Sequence, residues 1–162
     1  MGDAAPGNPT ADAKPFTGIA VAALAFAALA VAVTVVDFLS SIQPLSPSVA
    51  GWRYTALASL AGGLAIPVLA VLVAAFAARY LDRPALTRRL ALAAKIVAGL
   101  LVAMWLVFMI DGFSMRGQAK PEERAIGDAG ILQASLKFLL QAAVLFVIGR
   151  ALQASRPNPQ GK

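Results

Sequence analysis

Four long apolar segments, at residues 17–42, 52–78, 90–110 and 131–149, dominate this chain. A helix needs about 20 residues to cross the hydrocarbon layer of a bilayer, and each segment is close to that length or beyond it. Together they use most of the 162 residues and leave no room for a separate aqueous domain. The composition agrees: 59% of the residues are hydrophobic and 14% charged, against roughly 25% charged in an ordinary soluble domain. The expected fold is all-α, an integral membrane four-helix bundle. Residues 1–16 are expected as a polar, disordered amino tail, 17–149 as the four-span transmembrane domain and 150–162 as a second tail. The first two segments are longer than the hydrocarbon requires, which permits tilt.

The formal net charge is +6, and its distribution is that of a topology signal. Lys14, Arg79, Arg83, Arg88, Arg89, Arg150, Arg156 and Lys162 fall on one side of the four segments, and Arg53, Arg116, Lys120 and Arg124 on the other. The richer side is cytoplasmic by the positive-inside rule, so both termini are expected in the cytoplasm of a multi-pass protein of a bacterial inner membrane. Trp52, Tyr54, Tyr80 and Trp105 lie at or near segment ends, where an interfacial aromatic belt places them. The basic residues form no patch with interleaved aromatics, so nucleic acid is not an expected partner. The amino tail has one Lys and two Asp, and the apolar run after it far exceeds the roughly 7–15 residues of a secretory signal core. The first span is therefore expected to be retained.

The sequence has no His and no Cys. It thus offers no imidazole for haem or zinc, no thiolate nucleophile and no disulfide relay. No phosphate-binding glycine loop and no nucleophile-elbow motif occurs. No catalytic, cofactor-binding or metal-binding residue is assigned, and the chain is read as not an enzyme and as carrying no cofactor.

The fourth segment, ILQASLKFLLQAAVLFVIG, places Gln133, Lys137 and Gln141 one turn apart, a polar stripe where lipid-facing residues are expected. In the first segment Thr34, Asp37 and Ser41 form a similar stripe. Asp37 lies five residues before Ile42 and Lys137 six residues after Ile131, or about 8 and 9 Å from the same membrane boundary at the helical rise. The expectation is an Asp37–Lys137 ion pair that joins the first span to the fourth, with the glutamines completing its hydrogen bonds. Snorkelling of Lys137 to the headgroups is the competing reading, and Asp111 is the rival partner. Lys95, inside the third segment, is expected to snorkel.

In the second segment Pro67 removes a backbone donor and crowds the Gly63 carbonyl, so Gly63 and Pro67 mark an expected helix kink. Residues 111–130 carry three basic and four acidic side chains and are read as a solvated connector, in which Pro121, Glu122 and Glu123 are able to open a short helix. Asp37, Phe38, Leu39, Pro44, Pro47, Trp52, Arg53, Gly63 and Pro67 resemble the first hairpin of HpsJ-like bacterial membrane proteins over residues 36–72. Arg53 departs from the Gln usual there. The resemblance implies an accessory role in exopolysaccharide production with no known chemistry.

Two functional expectations follow. The first is a non-enzymatic accessory or assembly subunit of a membrane complex, in contact with the lipid bilayer and with a membrane-protein partner or further copies of itself. The second is a small oligomeric transporter or channel, since ionisable groups within spans are functional candidates by default. Protein purified in mild detergent should show no visible absorption band and no stoichiometric zinc or iron. A tightly bound haem in the optical spectrum overturns the reading of the missing His and Cys.

Overall fold

The computed structural model describes residues 16–154, so all but residue 16 of the expected tail at 1–16, and residues 155–162 of that at 150–162, lie outside the described residues. The described chain is all helical: α1 (Thr17–Ser41), α2 (Ala50–Gly63), α3 (Ala65–Tyr80), α4 (Pro84–Gln118) and α5 (Pro121–Ala154). Three of these, α1, α4 and α5, are long and apolar enough to cross a membrane. A fourth crossing results if α2 and α3 are one span, bent by 42° at their break. The break is at Leu64, between Gly63 and Pro67. Pro67 has no N–H to offer the Gly63 carbonyl and its ring crowds that oxygen, so an unbroken helix is disfavoured there.

The turns follow from local chemistry. After α3, Arg83 N–H donates to the Ala78 carbonyl at 3.2 Å and Asp82 N–H to that of Arg79 at 3.1 Å. This is a Schellman closure. Asp82 stands at the left-handed position with φ 48°, which Asp tolerates better than most residues. Pro84 then opens α4 at its first position. Residues 111–130 depart from the connector expected of them, because α4 runs on to Gln118 and α5 starts at Pro121. Pro121 preorganises the first turn of α5, and Glu122 and Glu123 face its positive end. Arg124 Nε donates to the Ala119 carbonyl at 3.2 Å, and Arg116 bridges to Asp128 at 2.8 Å across the hairpin. At 35 and 34 residues, both helices are about 50 Å long and exceed the hydrocarbon thickness.

The α4–α5 hairpin is the centre of the molecule. Along α4 the inward positions are Ala91, Ala94, Ala98, Leu101, Trp105, Phe108 and Gly112, and along α5 they are Ile131, Ala134, Phe138, Gln141, Leu145, Ile148 and Leu152. Both sets advance in alternating steps of three and four residues, the seam of a left-handed helix pair. Phe108 and Phe138 are fully buried with ring centroids 6.0 Å apart, and Tyr54 of α2 stacks on Phe108 at 4.8 Å. Gly149 allows the closest approach: a Cβ there would lie 3.0 Å from the Ala91 carbonyl oxygen and 2.8 Å from Lys95 Cγ. In contrast, the backbone of α1 comes close to α2 and α3 among the described helices, and Ala27 clusters with Ala70 and Ala74, with Leu90 of α4 at the edge.

Gly149→Val should therefore destabilise the bundle by about 1–3 kcal/mol, as overpacking against backbone does. Gly99→Val, at a site where a Cβ meets nothing within 4 Å, should leave the melting temperature in detergent close to that of the unaltered protein. Equal losses at the two positions would show that α4 and α5 do not approach closely at Gly149.

Candidate functional site

Polar side chains are few within the bundle, and the buried ones are bonded from helix to helix. At the end of the bundle where α1 passes into α2, Arg53 grips Asp111 of α4 with two parallel bonds. Nε donates to Oδ2 at 2.9 Å and Nη2 to Oδ1 at 2.6 Å. The Asp111 side chain is 4% exposed. A carboxylate so buried is tolerated only when a counter-charge and hydrogen bonds replace its water, and the planar guanidinium fork supplies both. Nη1 of the same guanidinium donates to the carbonyls of Pro47 and Ser48 at 3.0 and 3.3 Å, while the neighbouring Trp52 indole donates to the Ile42 carbonyl at 3.0 Å. The 42–49 connector, α2 and α4 are thus tied at one point. Next to Asp111, Gly112 leaves room for Ile131 and Tyr54, whose atoms would lie 3.2 and 3.4 Å from a Cβ placed there.

Near the middle of the bundle Gln141 of α5 reaches the helix break. Its Nε2 donates to the Ala61 carbonyl at 3.1 Å, one of the last-turn carbonyls that a helix end leaves open. Gln141 Oε1 and Trp105 Nε1 are buried and have no hydrogen-bond partner among the described residues. Towards the opposite end Lys95, half-buried, donates from Nζ to Oε1 of Gln153, so it has a partner within the chain and is not simply snorkelling.

The two sequence-derived stripes are placed differently from expectation. Asp37 and Lys137 are both exposed, no Cα of α1 lies within 8 Å of a Cα of α5, and no bond joins the two side chains. Gln133 is exposed as well, whereas Gln141 is buried. Steps of four residues drift by about 40° each on a 3.6-residue helix, so two such steps carry the stripe out of the seam. Thr34 and Ser41 turn back on their own helix, donating to the carbonyls of Ala30 at 2.9 Å and Phe38 at 2.8 Å. Gly63 and Pro67 flank the bend at Leu64, and a Cβ at Gly63 would lie 3.8 Å from Thr34 Cγ2. Asp111 serves Arg53 and not Lys137.

From the sequence, Arg53 reads as a topology charge and as a departure from the HpsJ-like pattern, and Asp111 as a rival partner for Lys137, so the Arg53–Asp111 pair is not anticipated. Its signal was present: two opposite charges at the same end of adjacent spans. Among the described residues no three His, Cys, Asp or Glu side chains come together in a way that would hold a metal ion. No family model, curated protein or solved structure matches the chain.

Arg53→Met, Asp111→Asn and the double variant test the pair. Either single change should lower the melting temperature in detergent, and the double change should cost less than the sum of the two. Arg53→Lys should recover only part of the loss, because a point charge cannot form the two-pronged contact. Strict additivity would show that the two side chains do not interact.

Proposed function

We propose that this protein is a non-enzymatic accessory or assembly subunit of a bacterial inner-membrane complex. In this reading α2 and α3 form one bent span, the chain is a four-span bundle and both termini face the cytoplasm. The observation that carries the proposal is the use of the buried and half-buried polar groups: Arg53 with Asp111, Gln141 with the Ala61 carbonyl, and Lys95 with Gln153 all fasten one helix to another. The outward surfaces of α1, α4 and α5 are broadly apolar, with Phe26, Leu100, Ile110 and Val147 among their exposed residues. Lipid or a membrane-protein neighbour is the natural covering for such surfaces. The likeness of residues 36–72 to HpsJ-like proteins supports exopolysaccharide production as the setting.

One feature favours the second reading, a small oligomeric transporter or channel. Discontinuous helices with polar groups near the membrane midplane are where transporters bind their cargo. Here Gln141 Oε1 lies buried on the residue that also caps the α2–α3 break. Ion flux in liposomes from the purified protein alone would favour transport, while a stoichiometric partner captured from native membranes would favour the subunit.

Topology is tested by reporter fusions. Those after Ala85 and Lys162 should report the cytoplasm and one after Gln118 the opposite side. A cytoplasmic signal after Gln118 would sink the four-span arrangement.

A further inference from the structure

Asp37 and Lys137 are charged side chains within apolar helical segments, and both are exposed with no hydrogen bond or ion pair among the described residues. The Arg53–Asp111 pair provides a common mark for their depth. Ile42, five residues beyond Asp37, accepts the indole of Trp52 beside Arg53. Ile131, six residues before Lys137, packs at Gly112 beside Asp111. Both charges therefore lie about 8–9 Å from that mark towards the middle of the bundle, by the helical rise. Their signs are opposite, their levels match, and their helices do not meet within the chain.

The two groups differ in reach. Lys137 has a four-carbon stem able to carry its ammonium to the headgroups. The Asp37 carboxylate, on a single methylene, has no such reach, and a cation brought to it by a neighbouring helix would stabilise it. Around it α1 presents small and β-branched residues, with Ala32, Val33, Val36 and Ser40 all exposed. Small side chains on a spanning helix allow close approach of a neighbouring helix.

We propose that the chain self-associates in the membrane, with α1 of one copy against α5 of the next and Asp37 of the first paired with Lys137 of the second. The pairing rests on the membrane-spanning reading above and names the neighbour that such a subunit first meets. Among the described helices the backbone of α1 comes close to α2 and α3 and not to α4 or α5, and its outward face, Val33, Val36 and Asp37 included, is exposed and open to a second copy. The salt bridge sets the register of the two helices and rejects alignments that leave a charge facing lipid.

The absence of native cysteine makes the test direct. Ser40 is two residues before Ile42 and Gln133 two after Ile131, so the two positions share a level about one turn outward from the pair. Ser40→Cys and Gln133→Cys are placed in separate copies, co-expressed, and oxidised mildly in native membranes. The mixed copies should give a disulfide-linked dimer well above the level from either variant alone. Asp37→Lys should abolish it, and Asp37→Lys with Lys137→Asp in every copy should restore it. The exchanged variant keeps both charges, so it decides even where the single change lowers folded yield.

A mixed yield no higher than that of the single variants overturns the proposal, as does a crosslink indifferent to the charge at position 37 or one formed only to another protein. Reporter fusions that still place residues 85, 118 and 162 as expected would then confine the failure to the pairing, whereas altered fusions would remove the spanning reading itself.

Discussion

With Ala91, Ala94 and Ala98 on α4 and Ala134, Ala142 and Gly149 on α5, small side chains alternate with large ones where the two longest helices come together, and the closest approach is at Gly149. A single methyl at position 149 would strike the Ala91 carbonyl. In lipid this matters more than it would in water, because hydrocarbon offers a leucine as good a surrounding as another protein does. Helix association then depends on close packing and on hydrogen bonds. The bent α2–α3 pair lies against this hairpin, and α1 lies against that pair. Widening the α4–α5 contact would therefore disturb every later layer.

Dispersion along a smooth apolar seam does not by itself fix how far one helix slides along another, and the buried polar bonds supply that register. They occur at different heights: Arg53–Asp111 near one end, Gln141–Ala61 at the bend, and Lys95–Gln153 towards the other end. A shift of α4 by one turn would separate Asp111 from Arg53 and leave a carboxylate buried without a partner. The bend is part of the same arrangement. A straight helix would supply its own donor to each carbonyl, whereas the break exposes the last-turn carbonyls of α2, and α5 meets one of them with a side-chain amide.

The all-helical fold and the stretches able to cross a membrane were legible from the apolar runs, because length and continuity are one-dimensional signals. The faces of the helices were not. In a soluble helix the contrast between apolar and polar sides marks the core, but here both sides are apolar, and the inward positions, small and large alike, differ little in polarity from the outward ones. Gln133, Lys137 and Gln141 were read as one face from their four-residue spacing, and the accumulated rotation places Gln141 inside and the other two outside. The helical course of residues 111–130 was half legible. Pro121, Glu122 and Glu123 announce a helix start, but the Arg116–Asp128 bridge depends on the hairpin already being formed.

The position of α1 reaches the buried ion pair through two neighbouring side chains. Arg53 holds Asp111 with Nε and Nη2 and the 47–48 carbonyls with Nη1, and Trp52 beside it holds the last carbonyl of the α1 turn. A guanidinium is planar and rigid, so displacing the connector moves all of these donors together. Any neighbour that pulls on α1 therefore loads the bond that fixes α2 to α4. The Ala27–Ala70–Ala74 contact joins α1 to α3 separately, by close packing of small side chains.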